Sequence, residues 1–184
     1  MDAERLTRWF HPVVADWFAD SFREPTPVQT AAWDEITAGR NVLVAAPTGS
    51  GKTLAFVIPL LESLYRAKWG RQDGIGGLVI APTRELAMQI FQQLLAAGKH
   101  HSLSAGLLIG GKNVKEEKDT VNKMNVLVCT PGRLLQHMDE TPMFDCVTLR
   151  RVLEDFLSRR NHLSAQGPSL VSIPTRLDAF QLHH

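Results

Sequence analysis

Several things are scarce in this sequence, and each shortage removes a class of function. Only two cysteines, Cys129 and Cys146, occur in 184 residues. That is too few for a disulfide framework, and a reducing compartment is the simpler setting. Cys129 lies in an apolar run and reads as core. Neither sign of charge is in excess: 20 Lys and Arg stand against 19 Asp and Glu, for a formal net charge of +1. No global basic field attracts nucleic acid, so any such binding must come from local geometry. No apolar run approaches the roughly 18 residues of a membrane span. The first ten residues, MDAERLTRWF, carry acids early and have no hydrophobic signal region. An intracellular protein without a membrane partner is expected.

The remaining composition, 44% hydrophobic and 21% charged, is that of one ordinary globular domain. Its most informative stretch is Asn41 to Thr53, NVLVAAPTGSGKT. The β-type run Val42-Leu43-Val44 gives way to a small-residue loop, then Lys52-Thr53, then the apolar segment Leu54 to Leu64, which reads as a helix. This order builds a phosphate cradle: N–H groups of the loop and helix N-terminus point at an anion, and Gly49 and Gly51 let the backbone approach it. Lys52 supplies charge for the phosphates, and the Thr53 hydroxyl is a candidate Mg²⁺ ligand. The usual first glycine of the pattern is Ala46 here, leaving an ordinary glycine-rich turn as the alternative.

Before this loop, residues 5–20 place Leu6, Trp9, Phe10, Val13, Val14, Trp17 and Phe18 at helical spacing. Pro25-Thr26-Pro27 then reads as a helix start, with Gln29 as a solvated first-turn residue on that reading alone. After the loop, strand and helix alternate. Gly77 to Ala81, Ala105 to Ile109 and Asn125 to Cys129 read as strands; Arg84 to Ala97, the charged surface segment Val114 to Met124, and Gly132 to Asp139 read as helices. This pattern predicts an α/β fold with a mostly parallel sheet flanked by helices. Right-handed crossovers gather the strand C-terminal ends on one edge, where ligands bind. Each strand is followed there by an unusual signature: Ala46 to Thr53, Pro82-Thr83-Arg84-Glu85, Gly110-Gly111, and Thr130-Pro131-Gly132-Arg133. Such a row of loops suits one nucleotide and a polymer of phosphates.

These elements resemble the first RecA-like P-loop domain of a DEAD-box RNA helicase. SFREPTPVQ is similar to the family's Q motif, APTGSGKT to motif I (which accounts for Ala46), PTRELA to motif Ia, Gly110-Gly111 to the GG element and TPGR to motif Ib. Residues 77–145 resemble the subgroup acting in eukaryotic ribosome biogenesis, and FHPVVADWFADSF with PTPVQTAAW resembles bacterial Lhr-type helicases. The resemblance implies ATP and Mg²⁺ as cofactors. Phe22 would stack on adenine and Gln29 would bond its edge. Ala46, Thr48, Gly49, Ser50, Gly51, Lys52 and Thr53 would hold the phosphates, with Lys52 and Thr53 as the catalytic pair and Thr53 on the metal. Pro82, Thr83, Arg84, Gly110, Gly111, Thr130, Pro131, Gly132 and Arg133 would line an RNA backbone without reading its sequence. For Arg84 an ion pair with Glu85 or another acid is the alternative. A nuclear or nucleolar place follows if the subgroup holds, and a cytoplasmic one otherwise.

The resemblance also implies a strand ending in Asp-Glu-Ala-Asp, and no such tetrapeptide occurs. Leu149, Val152, Leu153, Phe156 and Leu157 fit a helix instead. Glu154-Asp155 is then either a scrambled carboxylate pair or an ordinary polar face. The sequence thus divides into N-terminal helices (1–40), a RecA-like core (41–145) and a helical tail (146–184). A strand-like run, Leu170 to Ile173, lies late in the tail. Without the acidic strand, the sheet should be incomplete, less stable and left with an open edge. A second RecA-like domain or a protein partner in trans would be needed for the complete reaction.

Overall fold

The computed structural model describes residues 4, 6–111, 117–118, 121–142 and 144, and the backbone of 151–156 and 169–173. Two N-terminal helices, α1 (Pro12–Ser21) and α2 (Pro27–Thr37), precede β1 (Val42–Ala46), α3 (Lys52–Arg66), β2 (Gly77–Ile80), α4 (Arg84–Ala97), β3 (Ala105–Leu108), β4 (Val126–Cys129), α5 (Pro131–Glu140), β5 (Arg151–Phe156) and β6 (Ser169–Ile173). The six strands form one sheet in the order β1-β6-β5-β2-β4-β3. β5, β2, β4 and β3 are mutually parallel neighbours; β6 is antiparallel to both β1 and β5.

Alternation along the central strands explains the two-sided cover. Val79, Val126 and Val128 pack with α3 and α4 residues such as Leu60, Leu61, Ile90 and Leu94. Leu78, Leu127 and Cys129 face the other side, against Leu108, Val121 and Leu134. Successive strand residues point to opposite faces, so a sheet covered on both sides reads as an unbroken apolar run.

The N-terminal helices are seated by aromatic rings. Trp33 is fully buried and receives Phe10 at 4.8 Å, Phe18 at 5.4 Å and Trp9 at 5.5 Å in edge-on contacts. Each such pair contributes about 0.5–1.5 kcal/mol beyond area burial. Leu54 and Ile58 of α3 complete this cluster. The segment between α1 and α2 is thereby fixed against the start of α3.

Three sequence expectations need correction. Residues 151–156 form a strand and not a helix. β5 is bonded between β2 and β6, with Val152 beside Leu78 and Glu154 beside Ile80. A short apolar run carries both periodicities, and the slot in the sheet decides between them. Arg151 pairs with Gly77 at the start of the ladder, so it precedes the strand's apolar stretch without breaking it. Secondly, the sheet has no gap at this position; β5 and β6 fill it, and the run Leu170 to Ile173 is part of β6. Thirdly, Glu117 is not a solvated charge: it is an ion-pair partner of the buried Arg133. Cys146 and the flanks of 151–156 lie outside the described residues.

Candidate nucleotide and nucleic-acid site

The phosphate loop joins β1 to α3. Gly49 and Gly51 take φ of +79° and +89°, a left-handed backbone that costs any other residue roughly 1–2 kcal/mol. Gly51 is the residue before α3, and no side chain caps that helix. Its first-turn N–H groups are left for an anion. Among the described residues the buried Ser50 hydroxyl has no hydrogen-bond partner, and a Cβ at Gly49 would meet nothing within 4 Å. An open, donor-rich cradle of this kind fits a polyphosphate. Lys52 is buried, with Nζ donating to the carbonyls of Ala46, at 2.7 Å, and Pro47.

Gln29 connects the N-terminal helices to this loop. It is buried rather than solvated, at 3% exposure. Its N–H donates to Thr26 Oγ1, while its Oε1 accepts from the Thr26 N–H at 2.9 Å, a reciprocal capping box at the start of α2. The same side chain also donates from Nε2 to the Gly51 carbonyl at 3.1 Å. Packing there is tight: a Cβ at Gly51 would lie 2.6 Å from Gln29 Nε2 and 3.1 Å from Thr26 Oγ1. Phe22, 41% exposed, lies edge-on to Trp17 with ring centroids 5.9 Å apart. Trp17, Phe22, Thr26, Gln29, Thr48, Gly49, Gly51, Lys52 and Thr53 all open on one cleft of about 600 Å³. The residues of the Q-motif-like segment and the phosphate loop therefore share one chamber, an apolar ring at one end and the anion cradle at the other.

A second groove, of about 580 Å³, runs along the same edge and is lined by Pro82, Thr83, Arg84, Gly110, Thr130, Gly132 and Arg133. Thr83 caps α4, its hydroxyl accepting from the Leu86 N–H at 3.2 Å while keeping its own proton to donate. Thr130 precedes α5 without a side-chain capping bond and Pro131 has no N–H; Thr130 and Gly132 both line the groove. Arg84 is exposed and its guanidinium lies over Gly110 and Gly111. Among the described residues it forms no ion pair with Glu85 or any other acid.

Arg133 differs. It is 6% exposed; Nε and Nη2 donate to Glu117 Oε2 at 3.0 and 2.8 Å, and Nη1 donates to Gln136 Oε1 at 3.0 Å. The buried His137 sets Nε2 2.9 Å from the same Glu117 oxygen and Nδ1 2.7 Å from Thr141 Oγ1. Sequence reasoning did not find Glu117, Gln136 and His137. Their i, i+3 and i, i+4 spacing with Arg133 on α5 was the only local signal, and nothing in it pointed to Glu117.

Residues 26–156 match the family model described as DEAD/DEAH box helicase. The chain belongs to that family. It is 56% identical over 138 residues to a probable ATP-dependent RNA helicase, ddx10, of Dictyostelium discoideum, covering 75% of this chain and 16% of that protein. It is 50% identical over 148 residues to the ATP-dependent RNA helicase dbp4 of Aspergillus oryzae, covering 80% and 19%. The chain spans less than a fifth of the length of these curated relatives. Among solved structures, a hypothetical ATP-dependent RNA helicase from Sulfolobus tokodaii is similar at 31% identity and a TM-score of 0.62, over 71% of this chain and 37% of that one. The DEAD-box helicase Mss116 shares the fold with a TM-score of 0.72 at 24% identity, over 82% and 32%. The fold is RecA-like, and membership of the DEAD-box family implies ATP binding. The family match runs through β5, so the strand bearing Glu154 and Asp155 belongs to the matched region.

Proposed function

We propose that the chain is the nucleotide- and RNA-binding module of an ATP-dependent RNA helicase. The observation that carries this is the bond from Gln29 to the Gly51 carbonyl, which joins the Q-motif-like segment to the phosphate loop in one cleft. ATP would lie with its adenine on Phe22 and Gln29 and its phosphates on residues 46–53. Bound Mg²⁺ would neutralise phosphate charge, and the Thr53 hydroxyl is the residue here that would hold it. Pro82, Thr83, Arg84, Gly110, Gly111, Thr130, Pro131, Gly132 and Arg133 form or border the groove for RNA, with affinity falling as salt rises. Residues 1–40 and 41–145 act as one binding unit. A second RecA-like domain, in the longer protein or in trans, would close the site, and ribosome biogenesis in the nucleolus is the setting that the subgroup resemblance favours.

A second reading, hydrolysis by this chain itself, is favoured by β5. Glu154 and Asp155 stand near its C-terminal end, in register with the end of β2, in the part of the sheet where the family's acidic strand is expected. The order is Glu-Asp rather than Asp-Glu. ATP turnover needs metal, water and charge stabilisation assembled together, and this chain supplies one side. The purified chain should bind ATP but show negligible RNA-stimulated ATPase. Turnover on the order of 1 s⁻¹, lost in both Lys52→Ala and Glu154→Gln, would establish the second reading instead.

A further inference from the structure

We propose that Glu117 is a positioning residue of the RNA groove, and that Arg133 is its buried strut rather than a phosphate ligand. This rests on the RNA-binding reading above and assigns a different task to one of its residues. One carboxylate oxygen, Glu117 Oε2, receives Arg133 Nε, Arg133 Nη2 and His137 Nε2, all within 3.0 Å. The side chains of Arg133, His137 and Glu117 are 4%, 0% and 14% exposed. A phosphate reaching for Arg133 would have to displace a carboxylate already withdrawn from water. That exchange strands a buried charge, which is costly.

The position of the acid in the chain gives the network its purpose. Glu117 lies six residues after Gly111, so its bond to α5 ties the glycine-pair loop to the helix that starts at Pro131. Gly110 and the start of α5 both line the groove, along with Pro82, Thr83 and Arg84. Lys118 adds a second tie, 3.6 Å from Glu140 Oε2, and Thr141 closes the far side of His137. With Arg133 held, α5 presents Thr130 and the Gly132 N–H to a phosphate. Gly132 is exposed, and a Cβ there would meet nothing within 4 Å.

The two roles of Arg133 predict opposite signs. Wild type, Glu117→Gln, Arg133→Gln and the double variant are titrated with a labelled oligouridylate over a salt series, with ADP affinity and thermal unfolding measured alongside. The expected result is that each single variant weakens RNA binding several-fold and the double variant no further than the worse single. The slope of log affinity against log salt and the affinity for ADP stay unchanged, which general destabilisation would not allow. Tighter RNA binding by Glu117→Gln overturns the proposal, because it means that the acid was competing for a phosphate ligand. So does a slope flattened by about 0.7 in Arg133→Gln, the loss of one single-strand phosphate contact. If Arg133→Gln does not fold, Arg133→Lys keeps the charge but not the fork, and the same expectations apply. If the unaltered chain binds no oligouridylate, the RNA reading falls and the positioning role with it. Non-additive unfolding shifts would then mark a brace of the fold alone.

Discussion

The Arg84 guanidinium lies so close to Gly110 that a Cβ built there would sit 2.9 Å from Nη2. At Gly111 the corresponding distance is 3.2 Å, to Nη1. The glycine pair is therefore a seat for the first residue of α4 as well as a bend in the backbone. Gly110→Ala should push Arg84 off this seat. RNA affinity is expected to fall by roughly tenfold, about 1.4 kcal/mol, with ADP binding unaffected; an electrophoretic or anisotropy titration of both ligands checks it.

The capping box and the phosphate loop are coupled through Gln29, so two substitutions should separate stability from binding. Thr26→Ala removes a helix cap that contributes about 0.5–2 kcal/mol, a loss visible in thermal unfolding as a few degrees. Gly51→Ala meets both a left-handed backbone and the Gln29 amide. It should lose nucleotide affinity as well as stability, because the Gly51 carbonyl is the group that Gln29 holds. Equal nucleotide binding in the two variants would show that this contact does not matter.

Lys52 bonds the carbonyls of Ala46 and Pro47. A phosphate offers it stronger, charge-assisted bonds. Lys52→Ala should weaken ATP and ADP binding by about 10- to 100-fold, the equivalent of roughly 1.5–3 kcal/mol for a charged hydrogen bond. Isothermal titration measures this, and the variant's far-ultraviolet spectrum should match the parent.

His101 predicts a pH dependence away from the ligand edge. Its ring packs edge-on to Tyr65 at 5.3 Å, and among the described residues neither ring nitrogen has a hydrogen-bond partner. Burial holds its pKa below the usual 6.5; Glu62 opposes this, and His100 and His11 add to it. The unfolded chain then takes up a proton at a higher pH than the folded one, so stability drops as pH falls below 6.5 and is insensitive to this group above it. In denaturant melts, His101→Phe should lose less stability than wild type on going from about pH 7.5 to 5.5, following the linkage relation. Parallel losses would exclude His101 as the source.

The strand–helix alternation, the four edge signatures and the bounds of α4 could be read from the chain, because each rests on local pattern and turn chemistry. Gln29 shows the limit of that reading. Its place three residues after Thr26 already spelled a capping box, yet its burial depends on Gly51, which is 22 residues away. Val152, Leu153 and Phe156 suit either periodicity, and only the partners β2 and β6 make 151–156 a strand. Glu117 was hidden for the opposite reason: in a run of alternating charges, nothing local marks the one acid that a distant arginine and histidine will bury.

The reversed direction of β6 sets the traffic of the chain. Ser169 enters beside Ala46, at the phosphate end, and Ile173 leaves beside Val42, at the opposite rim. One strand therefore stands between the loop after β1 and the acids of β5, a separation of about 10 Å at ordinary strand spacing. The strand thus runs away from the phosphate loop, and its last residue lies at the rim remote from it.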